Sequence, residues 1–132
     1  MLAQRINTLL PPLTAKEALD VLIISSLSNT IHHDGKWPLR PFRAPHHTAS
    51  AVALTGGGSI PKPGEITLAH HGILFLDELP EFDRRVLDAL REPLDARKIT
   101  ISRAKAKIRY PANVLLVGAL HPSPTGHYQG TH

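Results

Sequence analysis

The feature that most constrains the fold is an unbroken run of four large apolar residues, Ile73, Leu74, Phe75 and Leu76, followed at once by Asp77 and Glu78. With no polar residue alternating, the run has no solvent face, so it reads as a short strand covered on both sides within a parallel sheet. In open parallel sheets ligands bind beyond the carboxyl ends of the strands, where these two acids stand. Adjacent residues at a strand end point in different directions. Asp77 can therefore hold a hydrated Mg²⁺ while Glu78 reaches a separate water and polarises it. The same pattern is also that of a buried strand entering a solvated turn.

The residues after the acids favour the first of these. Pro80-Glu81-Phe82-Asp83 ends the strand with a turn and offers Asp83 as N-cap of a helix whose apolar positions Val86, Leu87, Leu90 and Leu94 fall at helical spacing. Strand, paired acids and capped helix have the layout of a Walker B motif at the edge of a nucleotide site.

Three further segments stand in order around this one. They are Arg40-Pro41-Phe42-Arg43-Ala44-Pro45-His46-His47-Thr48, Gly56-Gly57-Gly58-Ser59-Ile60-Pro61 and Pro63-Gly64-Glu65-Ile66. Together with residues 72–83 they resemble the magnesium-chelatase subunit I-like AAA+ ATPases, and within them the bacterial competence-protein (ComM, YifB-type) group. The resemblance covers nearly the whole chain. It implies an α/β fold over residues 1–132: a partial AAA+ P-loop NTPase core, three-layered, with a mostly parallel sheet and a β-hairpin before the sensor 1 strand. It also implies that Glu78 is the catalytic residue and that Asp77 binds the cofactor, holding Mg²⁺ through water. His121 occupies the sensor 1 position, where the family has asparagine. Neutral imidazole can donate one hydrogen bond there, but its shape and charge options differ. In the full-length family the cofactors are ATP and Mg²⁺ and the assembly is a homo-oligomeric, hexameric ring.

Length qualifies these expectations. At 132 residues the chain is one domain at most, and a complete ATPase module usually needs about 200 residues or more. No Gly-x-x-x-x-Gly-Lys-Ser/Thr occurs in it, and Gly56-Gly57-Gly58-Ser59 has no lysine to replace one. Strand 1 with the phosphate-binding loop, and strand 5 with the lid, are therefore expected to be missing. AAA+ sheets run 5-1-4-3-2, so the apolar strand at 114–120 would lose its phosphate-loop neighbour and show a greasy edge. The polypeptide alone is expected to bind no nucleotide tightly and to hydrolyse none, because phosphoryl transfer depends on positioning and charge neutralisation.

Composition adds limits. With 42% apolar and 20% charged residues the chain is globular rather than disordered, and with no cysteine it has neither disulfide nor zinc-thiolate site. No apolar run approaches ~18 residues and the amino terminus has no secretory pattern, so the expectation is a cytoplasmic protein without a membrane partner. A net charge of +4 permits contact with nucleic acid without requiring it.

In chain order, residues 2–10 read as a helix ended by Pro11-Pro12. Thr14-Ala15-Lys16-Glu17 reads as a capping box opening a helix with an apolar face of Ala18, Leu19, Leu22 and Ile23. His32 and His33 lie in a polar loop and are assigned no metal. Prolines confine residues 40–45 to an edge strand, and residues 49–54 read as a short helix capped by Thr48. Arg43, His46 and His47 could face a nucleotide or a neighbouring subunit, or serve surface and packing roles. Gly56-Gly57-Gly58 reads as a hinge, and the alternation of Ile66 and Leu68 as a strand at 65–69. The family resemblance makes the intervening segment a substrate-contacting insertion.

Residues 97–110 read as a hairpin centred on Arg103-Ala104, with Ile101 opposite Ala106 and Ile99 opposite Ile108; Arg-Ala is poor two-residue turn chemistry and favours a wider loop in the same register. Its basic residues Arg103, Lys105, Lys107 and Arg109 are nucleic-acid candidates, although lysines also simply protect a solvated sheet edge. Residues 113–120 read as a second fully buried strand.

Function thus stays open between classes, and whether the chain is itself an enzyme is not decided by its residues. One class is a segment of a ring-forming ATPase which, by resemblance, drives DNA branch migration or remodelling. Another is a truncated, non-enzymatic remnant that at most binds nucleic acid or a full-length partner. A magnesium chelatase subunit is a third.

Overall fold

The computed structural model describes residues 2–28, 37–58, 62–103 and 106–120. Three strands, β1 (Phe42–Arg43), β4 (Ile73–Leu76) and β7 (Leu115–Gly118), form a parallel sheet in the order β1-β4-β7. The fold is mixed α/β and consistent with a partial AAA+ P-loop-like core. β4 is buried at all four positions because both faces of the sheet are covered. Leu74 and Leu76 pack on one side with Leu54, Ile66, Phe82, Leu90 and Ile99. Ile73 and Phe75 pack on the other with Ile6, Leu10, Phe42 and Val117. The two-residue alternation along a strand thus feeds two separate cores, which is what an apolar run without polar breaks requires.

The elements that build these layers follow local rules. α1 (Leu2–Leu9) ends before Pro11-Pro12. α2 (Ala15–Leu27) opens with the expected capping box: Thr14 Oγ1 accepts the Glu17 N–H at 3.2 Å, and Glu17 Oε1 accepts the Thr14 N–H at 2.9 Å. The buried face of α2 is Ala18, Val21 and Ile24, not the expected Ala18, Leu19, Leu22 and Ile23. Leu19, Leu22, Ile23 and Leu27 are exposed. A helix apolar on most sides offers two candidate stripes, and spacing alone does not choose between them.

Three other expectations are corrected. The short helix α3 is Ala51–Thr55, and its N-cap is Ser50, whose Oγ accepts the Ala53 N–H at 3.1 Å. Thr48 is occupied instead by His46, whose Nδ1 accepts the Thr48 N–H at 3.2 Å. The strand expected at 65–69 is a helical turn, α4 (Glu65–Leu68), started by the Gly64 carbonyl accepting from Thr67 and Leu68. Ile66 and Ala69 are both buried three residues apart, so the apolar pair read as period two belongs to a helix. The glycine hinge is ordered in part. β2 (Gly56–Gly57) pairs antiparallel with β3 (Lys62–Pro63), and Gly56, Gly57 and Gly58 all have positive φ, between 95° and 126°.

After β4 a 3₁₀ turn (Leu79–Glu81) leads to α5 (Arg84–Ala96), capped as expected by Asp83 through the Arg85 N–H at 2.8 Å. Val86, Leu87, Leu90 and Leu94 all face the core. β5 (Lys98–Arg103) and β6 (Ala106–Pro111) form the expected hairpin with its register moved by two residues: Ile99 pairs with Tyr110, Ile101 with Ile108 and Arg103 with Ala106. The shift is by an even number, so Ile99 and Ile108 keep the face expected of them. Arg103 and Ala106 are the last pair of the hairpin, and positions 104 and 105 lie outside the described residues.

β7 departs most from expectation. Leu115 and Leu116 are 45% and 44% exposed rather than buried. Among the described residues no strand pairs with its outer side. The greasy edge inferred from the sequence is therefore present, and it is what leaves the strand half covered.

Candidate functional site

The register of the sheet brings strand ends together. Leu76 pairs with Gly118, so β4 and β7 finish level, and Asp77 and Glu78 emerge beside Ala119 and Leu120. Two backbone bonds tie the exits: Ala119 N–H donates to the Leu76 carbonyl at 3.0 Å, and Leu79 N–H donates to the Ala119 carbonyl at 3.0 Å. Between these bonds Glu78 takes a left-handed backbone, φ 56° and ψ 48°, and its N–H donates to Asp77 Oδ1 at 3.0 Å. A non-glycine residue in that region costs free energy and persists where surroundings over-determine it. Both carboxylates are partly exposed, at the carboxyl edge. The Leu79 side chain lies against Gly118, where an added Cβ would come within 3.1 Å of Leu79 Cδ2.

The loop after β1 reaches the same edge. His47 meets Phe82 edge-on with ring centroids 6.3 Å apart, and the His46 ring lies tilted against His47 at 4.2 Å. Arg43 is committed elsewhere: its Nε and Nη2 hold the two carboxylate oxygens of Glu65 at 2.7 and 2.9 Å. This bidentate pair fastens β1 to α4, so of the roles open to Arg43 the packing one is seen.

The other sequence candidates fare unevenly. Lys107 and Arg109 are exposed on β6, and the backbone of Arg103 ends β5. Lys105 and His121 lie outside the described residues, as do His32 and His33.

Sequence inspection missed a second polar cluster at the amino edge of the sheet, formed by Glu17 and Asp20 of α2, Arg40, His70 and His71. The spacing of Glu17 and Asp20, which puts both acids on one helix face, and a His-His pair directly before β4 were its only signals.

A family model described as magnesium chelatase, subunit ChlI, matches residues 1–132. The chain belongs to that family. The uncharacterised protein YifB of Escherichia coli (strain K12) is 61% identical over all 132 residues, which make up 26% of its length. Competence protein ComM of Haemophilus influenzae is 60% identical over the same span, again 26% of its length. The magnesium-chelatase 38 kDa subunit of Chlorobaculum parvum is 34% identical over 70 residues, 53% of this chain and 20% of that one. The chain thus spans about a quarter of the YifB and ComM relatives it matches. Among the described residues no helix is long and apolar enough to cross a membrane.

Proposed function

We propose that this chain supplies the metal-and-water edge of an AAA+ nucleotide site, as the Walker B segment of a cytoplasmic ATPase that works as a homo-oligomeric ring. The observation that carries this reading is the level finish of β4 and β7, with Asp77 and Glu78 following β4 at the carboxyl edge of the sheet, tied there to Ala119. Asp77 holds Mg²⁺ through water; Glu78 orients and deprotonates the attacking water; His121 stands where the γ-phosphate is sensed. The triphosphate grip and the trans arginine come from outside these residues. A carboxylate acting on Mg²⁺ through water is an outer ligand, and its loss typically weakens metal affinity about 10- to 100-fold. Asp77→Asn in the full-length protein is therefore expected to raise the Mg²⁺ concentration needed for half-maximal ATP turnover by about that factor. An unchanged Mg²⁺ dependence would remove Asp77 from the site.

A second reading concerns the work done with ATP. The exposed Lys98, Lys107 and Arg109 on the hairpin favour contact with a phosphate backbone, and DNA branch migration or remodelling is the work we propose for it. Each lost phosphate contact lowers the salt slope of binding by about 1, so Lys107→Ala/Arg109→Ala is expected to lower it by about 2. DNA titrations over a range of salt check this, and an unaltered slope assigns the hairpin to edge protection alone. A chelatase role, suggested by the name of the 38 kDa relative, has no feature of the described residues in its favour.

A further inference from the structure

The cluster at the amino edge of the sheet takes no part in the proposed nucleotide site; by strand rise it is about 20 Å from Glu78. Asp20, on α2, faces the turn that enters β4. Its Oδ2 lies 3.0 Å from His71 Nε2. Asp20, His70 and His71 each offer a ligand atom within 4.8 Å of the other two. His71 is held in a left-handed backbone, φ 68°. Its N–H donates to the Asn113 carbonyl at 2.8 Å, and its carbonyl accepts from Arg40 Nη1 at 2.7 Å.

Two details separate this arrangement from an ordinary His–Asp pair. The Nδ1 of His71 is sealed from solvent with no hydrogen-bond partner, yet it lies 3.6 Å from Glu17 Oε2. A metal-ligating histidine ordinarily donates its second ring N–H to a carboxylate. Glu17 is placed to receive it, being fixed by the Thr14 N–H and by Arg40 Nη2 at 3.6 Å. The Thr14 bond, then Arg40 and His71, hold the Glu17 carboxyl below its usual pKa. His70, for its part, is a neutral imidazole near pH 7. Burial first, then His71, pushes its pKa down to about 4 against the opposing pull of Asp20 and Glu17.

We propose that Asp20, His70 and His71 form a site for a first-row divalent metal ion of the zinc class, with Glu17 as the outer carboxylate. Two imidazoles and one carboxylate are a recognised three-ligand set for such ions, with water in the fourth position. At metal–ligand distances near 2.1 Å, tetrahedral donors are about 3.4 Å apart, so the wider gaps in the cluster, at most 4.8 Å, close by up to about 1.4 Å, while Asp20 Oδ2 and His71 Nε2, 3.0 Å apart, open by about 0.4 Å. His71 coordinates through Nε2, and its Nδ1–H then meets Glu17. His70 coordinates through Nε2. Its Nδ1 accepts the Asn113 N–H at 2.9 Å, so its proton sits on Nε2. Loading moves that proton to Nδ1, with no net release, and gives up the Asn113 bond. The ion would bind α2 to the entry of β4 and loosen the start of β7.

The test uses the full-length protein carrying this chain, stripped of metal and titrated with Zn²⁺ and Co²⁺ alone. Asp20→Asn and His71→Asn are compared with wild type; asparagine tolerates the left-handed backbone at position 71. Each variant is expected to take up one equivalent less tightly bound ion and to lose one visible Co²⁺ ligand-field component. Either variant suffices if the other fails to fold. Glu17→Gln is expected to keep the stoichiometry and weaken binding about 10- to 100-fold. Equal uptake and identical Co²⁺ spectra in wild type and variants overturn the site and leave a His–Asp hydrogen bond in its place.

Discussion

Glu78→Gln in the full-length protein is expected to lower ATP turnover by about 10²- to 10⁴-fold, the range attributed to a positioned general base, while nucleotide affinity stays close to wild type. The amide keeps the size of the carboxylate and can still hydrogen-bond a water, but it cannot take the proton. Its backbone demand is unchanged, since the N–H bond to Asp77 Oδ1 and the left-handed turn involve main-chain atoms of position 78. Steady-state turnover and equilibrium binding of ATP, measured on the same preparation, separate chemistry from grip. Turnover equal to wild type would end the proposed role of Glu78. A parallel loss of affinity and turnover would assign it to binding.

The second large effect concerns the sheet that carries the site. A Cβ at Gly72 would fall 1.9 Å from the Pro41 carbonyl oxygen and 2.7 Å from Pro41 N. These are backbone atoms, and that same carbonyl accepts the Ile73 N–H at 2.9 Å. No side chain can swing aside to relieve the clash. β1 must part from β4, weakening the stack of Phe42 on Phe75, whose centroids are 5.9 Å apart. Overpacking costs typically about 1–3 kcal/mol and occasionally more, and a backbone clash belongs at the upper end. Gly72→Ala is therefore expected to destabilise this domain by about 3 kcal/mol, lowering its melting temperature by roughly 10 °C. Calorimetry of the full-length protein checks it; a wild-type melt would mean that β1 and β4 are not held as described.

How much the sequence disclosed depends on how local each signal is. β4 was legible because four apolar residues in a row admit few environments, and α5 because its cap and its four core positions agree. The capping box at Thr14 was legible for the same reason. The face of α2 was not, since Leu19, Leu22 and Ile23 are as apolar as Val21 and Ile24, and only tertiary packing chooses. The 65–69 segment failed because two apolar residues cannot distinguish a period of two from a turn of helix.

Of the candidate site, the order of acids and strand was readable. The left-handed backbone at Glu78 and the tie to Ala119 were not, since both depend on a strand remote in sequence. The Asp20–His70–His71 cluster was hidden for a related reason: Asp20 and His71 are 51 residues apart in sequence and meet only across α2 and the entry to β4.

The pair of main-chain bonds between Leu76, Ala119 and Leu79 forms a small cross-brace. The main chain of Glu78 hangs inside it. Any pull on the segment after β7 tilts the peptide planes on either side of that residue. Displacement of one strand's exit is thereby passed, through main-chain bonds, to the peptide planes that carry the neighbouring acid.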